Sequence, residues 1–114
     1  MTRRPAGLRT GPARHERPAI DEAALGAARH ADRLLDAARR LPSSRWADVL
    51  SRVPDSLRDG DLAELRATAM RARAAFGPRD SIRDALPDSV TEPFRESVDR
   101  LLKVLARHDL GDGA

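Results

Sequence analysis

The sequence predicts an all-α protein, a small helical bundle of about three longer helices plus short connecting helices, behind a disordered N-terminal tail. Three observations predict it. Apolar residues recur at three- and four-residue steps along most of residues 20–110. No segment alternates apolar and polar residues as a half-buried strand would, and β-branched residues are sparse. Residues 20–110 also hold 24 Ile, Leu, Val, Met, Phe or Trp, enough for one core in a chain of 114 residues.

The expected domains are a tail over 1–18, a helical body over 19–110 and a frayed end over 111–114. The tail holds three prolines, two glycines and five arginines, with Leu8 its one large apolar residue besides Met1. Such a segment buries too little surface to offset its ordering entropy.

A first helix is expected over 21–41, with Asp21 as N-cap and Pro42 as its stop. Ala24, Ala27, Ala31, Leu34, Ala38 and Leu41 form a seam with alternating steps of three and four. Leu25 and Leu35 widen it. The spacing predicts a second, short helix over 44–53, capped by Ser43 or Ser44 and ended by Pro54. Trp46, Val49, Leu50 and Val53 share one face of it. Residues 55–60 read as one turn closed by Gly60. A third helix over 61–76 carries Leu62, Leu65, Ala69, Ala72 and Phe76 inward, acidic at its start and basic toward its end. A turn over 81–86, capped by Asp80, leads to a last helix over 91–108. There Thr91 is the expected cap, Pro93 the first-turn proline, and Phe94, Val98, Leu101, Leu102 and Leu105 the buried face. Val53-Pro54-Asp55-Ser56-Leu57 echoes Leu86-Pro87-Asp88-Ser89-Val90. Two copies fall short of the three a solenoid needs, so the motif reads as a way to stop one helix and cap the next.

Twenty of the 21 basic residues are Arg, and Lys103 is the one Lys. Together with twenty alanines, this is the bias of a GC-rich, bacterial type of coding sequence. The arginine content is therefore weak evidence for nucleic acid. The distribution of charge says more. Residues 1–18 carry five arginines against Glu16, and the remainder carries 16 basic against 17 acidic groups. No signal peptide or membrane span is expected, and with no cysteine the chain suits a reducing cytoplasm.

The residues offer no catalytic, metal or cofactor site. His15 lies in the tail, His30 off the first seam and His108 at a helix end, none with a second histidine one helical turn away. Asp32 and Asp36 among arginines, and Glu92, Glu96 and Asp99 beside Arg95, Arg100 and Lys103, read as salt-bridged solvated faces. There is no glycine-rich phosphate loop and no nucleophile elbow. The expectation is a non-enzymatic helical module, an adaptor or regulator, that binds another protein or a second copy of itself. Its candidate interface residues are Ala24, Ala27, Ala31, Leu34 and Trp46, though the seam reads first as intramolecular core and Trp46 as part of that core. The alternative is a nucleic-acid-associated protein whose Arg3, Arg4, Arg9, Arg14 and Arg17 contact phosphates.

Overall fold

The computed structural model describes residues 16–78 and 81–113, the last three of these by backbone alone. Among them the elements are all helical: α1 (Pro18–Arg39), α2 (Arg45–Leu50), α3 (Val53–Asp59), α4 (Leu62–Ala74), α5 (Ile82–Ala85) and α6 (Asp88–Gly113). The all-α expectation holds, with α1, α4 and α6 as the long members. Most of the expected tail, residues 1–15, lies outside the described residues.

Helix α1 begins ahead of its expected cap. Pro18 takes the first position, where its missing N–H leaves no bond unmade, and the Arg17 carbonyl accepts from the amides of Ile20 and Asp21 at 3.0 Å each. The alanine seam faces inward. Ala24, Ala27, Leu34 and Ala38 are wholly buried and Ala31 nearly so. Without side chains beyond Cβ, this face lets α6 and α3 come close, and helix axes meet at about 8 Å rather than 10 Å where small residues line the contact. Leu35 joins the core, whereas Leu25 stays exposed and Leu41 lies just past the helix, half-buried.

Pro54 opens a helix rather than closing one. The expected helix over 44–53 ends at Leu50, and the expected turn over 55–60 is helix α3, with Pro54 in its first turn and Leu57 fully buried. A proline stops a helix only where the chain needs its N–H, and first-turn positions do not. Both Pro-Asp-Ser segments thus open helices, α3 and α6. Trp46 and Leu50 of α2 are buried, while Val49 is 55% exposed. Arg45 lies over the Trp46 ring at 4.9 Å from its centroid.

Helix α4 starts as expected, with the Asp61 carboxylate accepting from the Glu64 amide at 2.9 Å. Leu65, Ala69 and Ala72 point to the core, and Phe76 packs on Phe94 with ring centroids 6.3 Å apart. Ser81, not Asp80, caps α5 by accepting from the Arg83 amide at 3.1 Å; Asp80 lies outside the described residues.

The last helix starts three residues earlier than expected, at Asp88 behind Pro87. Thr91 is inside it and fully buried, its hydroxyl donating to the Pro87 carbonyl at 3.2 Å. Pro93 therefore lies inside the helix, and the Ser89 carbonyl has no helical N–H to accept. The expected frayed end continues as helix backbone to Gly113. Phe94, Val98, Leu101 and Leu105 are buried against α1 and α4, and Leu102 is half-buried.

Ala31→Glu places an unpaired carboxylate in this core and should destabilise the fold by more than about 3 kcal/mol, read as a lost or much lowered urea midpoint. Pro93→Ala should do the reverse, raising stability by about 1–3 kcal/mol, because it restores the bond from residue 93 to the Ser89 carbonyl.

Candidate binding face on the fourth helix

Helix α4 is apolar on two sides. Its inner side follows Leu65, Ala69 and Ala72. On the opposite side Ala63, Ala67, Met70 and Ala74 are spaced four, three and four apart and are all exposed, Met70 by 60%. That spacing is a second helical seam, turned to solvent. Glu64 and Arg71 border it on one edge, Arg66 and Arg73 on the other.

The two borders differ electrostatically. Arg66 pairs with Asp109 of α6 at 2.6 Å, and Arg73 with Asp99 of α6 at 2.9 Å. Both charges on that border are thus neutralised within the chain. On the other border, Glu64 accepts a hydroxyl hydrogen bond from Ser56 of α3 at 2.9 Å and makes no ion pair with a described residue. Arg71 reaches the Thr68 hydroxyl at 3.4 Å and makes no ion pair with a described residue. Arg71 also lines a hollow of about 290 Å³ with the exposed Val49, Val53 and Ser56.

The same selectivity holds elsewhere on the surface. Arg58 of α3 grips Asp32 of α1 through both terminal nitrogens, Nη1 to Oδ1 at 3.3 Å. Asp36 pairs with Arg40 at 2.9 Å. Glu92 and Asp99 hold Arg95 at 2.9 and 3.1 Å, and Glu92 also reaches Arg83 of α5 at 3.2 Å. The pKa of Arg58 is raised above its ordinary value, first by the hydrogen bond to Asp32, and that of Arg95 first by the bond to Glu92. The solvated faces expected for α1 and α6 are in part cross-helix clamps, because Asp32 and Asp99 turn toward neighbouring helices.

A second concavity of about 510 Å³ runs between α1 and α6. Ala23, Gly26 and Pro93 line it together with His30 and Ser97. Glu22 and Arg100 face each other across one end at 4.0 Å, with both side chains more than half exposed. A Cβ on Gly26 would meet only the Arg29 Nη2 at 3.8 Å, so packing does not require glycine there.

The expected site residues fall in three places. Ala24, Ala27, Ala31, Leu34 and Trp46 are buried in the chain's own core. Arg17 is the half-buried N-cap of α1. Arg3, Arg4, Arg9 and Arg14 lie outside the described residues. Sequence reading missed the outer seam of α4, although its spacing was present. Alanine scored alike on both sides of the helix, and the inner seam with its leucines absorbed the pattern. Among the described residues no group of three or more His, Asp or Glu is disposed to hold a metal ion, and no helix is long and apolar enough to cross a membrane. The chain matches no family model, no curated protein and no solved structure.

Gly26→Ala should raise stability by about 0.5–1 kcal/mol in urea unfolding, since the methyl meets only the flexible end of Arg29 and glycine is unfavourable inside a helix. Removing the exposed clamp with Arg73→Ala should cost no more than about 1 kcal/mol in the same assay.

Proposed function

We propose that the chain is a non-enzymatic helical module, an adaptor or regulator, that works by binding a protein through the outer face of α4. One observation carries this reading: a helix-spaced apolar seam, Ala63, Ala67, Met70 and Ala74, exposed on a body whose other long helices turn their seams inward. Exposed apolar residues scattered singly are ordinary, but a contiguous seam at heptad spacing is the surface another helix packs against. Its small residues admit a close partner backbone, and Met70 supplies an adaptable anchor.

The charge of residues 1–18 supports a second reading, in which the arginine-rich segment contacts nucleic-acid phosphates. In that reading, deleting residues 1–15 abolishes binding to a random-sequence duplex and removes its salt dependence. Unchanged affinity after the deletion contradicts it.

Photo-cross-linking tests the α4 reading. A benzophenone amino acid at position 67 should give defined protein adducts in cells, whereas the same probe at exposed position 33 on α1 should not. Equal, diffuse labelling at both positions contradicts the reading.

A further inference from the structure

We infer that the occupant of the α4 face is a second copy of this chain, docked with the two α4 helices antiparallel about a two-fold axis. This inference rests on the reading of α4 as a protein-binding face and adds the identity and direction of the partner.

The borders of the seam supply the argument. With Ala67 and Met70 as the central pair, Glu64 and Arg71 occupy one flanking position of the heptad and Arg66 and Arg73 the other. In a parallel pair of helices, opposite flanks meet, and Arg66 would face the partner's Arg71. Asp109 already holds Arg66, so this arrangement leaves Arg71 of each copy without an opposite charge. In an antiparallel pair, like flanks meet. Glu64 then faces the partner's Arg71, and symmetry repeats the contact, giving two attractive pairs. On the remaining flank Arg66 approaches the partner's Arg73. That contact is tolerated because Asp109 and Asp99 of the same chain already neutralise both.

The apolar residues agree with this register. Ala67 lies opposite the partner's Met70, and Ala63 opposite the partner's Ala74, so the large side chain always meets a small one. Of the four charges that border the seam, Glu64 and Arg71 make no ion pair with a described residue, and these are the two that the antiparallel dimer pairs. Val49, exposed beside Arg71, extends the apolar contact at each end.

Sedimentation equilibrium on the full chain, from about 10 μM to about 1 mM, tests this. The expected result is a mass rising from 12.5 kDa toward twice that value with concentration. Ala67→Glu should raise the dissociation constant at least about tenfold, with circular dichroism and thermal midpoint of the monomer unchanged because the residue is exposed. Glu64→Arg and Arg71→Glu should each weaken association, and the double reversal should restore it. A monomer at every concentration overturns the inference. If position 67 still cross-links a different protein, the binding reading survives that result. A dimer indifferent to Ala67→Glu overturns both the inference and the assignment of the face. A double reversal that fails to restore association overturns the antiparallel arrangement.

Discussion

The close approach of α1 to α6 and α3 is the contact on which the rest of the molecule depends. It is possible because the buried side of α1 is built chiefly of alanine, with Ile20, Leu34 and Leu35 as its larger members. Alanine is the best helix former and loses no side-chain entropy on burial. It contributes little apolar area, so the stabilisation comes from what it lets approach. Phe94, Val98, Leu101 and Leu105 of α6 and Leu57 of α3 reach full burial in a chain that has only three aromatic residues. Larger residues on α1 would part these layers and open gaps that a small core cannot refill.

Around that contact, the surface charges act as clamps between helices. Arg58 ties α3 to α1, Arg66 and Arg73 tie α4 to α6, and Arg83 ties α5 to α6. Exposed pairs of this kind add little stability each, but they restrict how neighbouring helices are oriented. They also sort the arginines by role. An arginine neutralised within the chain leaves its neighbourhood electrostatically quiet, whereas Arg71 makes no ion pair with a described residue. Electrostatic asymmetry can thus arise from a near-uniform, arginine-rich composition through pairing alone.

The helical class, the three long helices and the inward side of α1 were legible because periodicity reports burial wherever one side is clearly more apolar. Boundaries were less legible where proline was involved. Pro54 and Pro87 looked like stops, yet each stands at the opening of a helix, and a local reading does not distinguish a proline that ends one helix from one that begins the next. Thr91 looked like a cap because Pro93 follows it, whereas tertiary packing of Phe94 and Val98 holds the helix together through the proline. The face on α4 was hidden for another reason. The alanines of α1 and those of the outer side of α4 have the same spacing and chemistry, and only the packing of neighbouring helices shows that one seam is covered and the other open.

Solvent paramagnetic relaxation of the alanine methyl groups separates the covered alanine seam of α1 from the open one of α4. With a soluble gadolinium chelate at low protein concentration, Ala63, Ala67 and Ala74 should broaden strongly, and Ala24, Ala27 and Ala31 almost not at all. Broadening of the α1 methyls, or protection of the α4 methyls in the dilute protein, would contradict that separation.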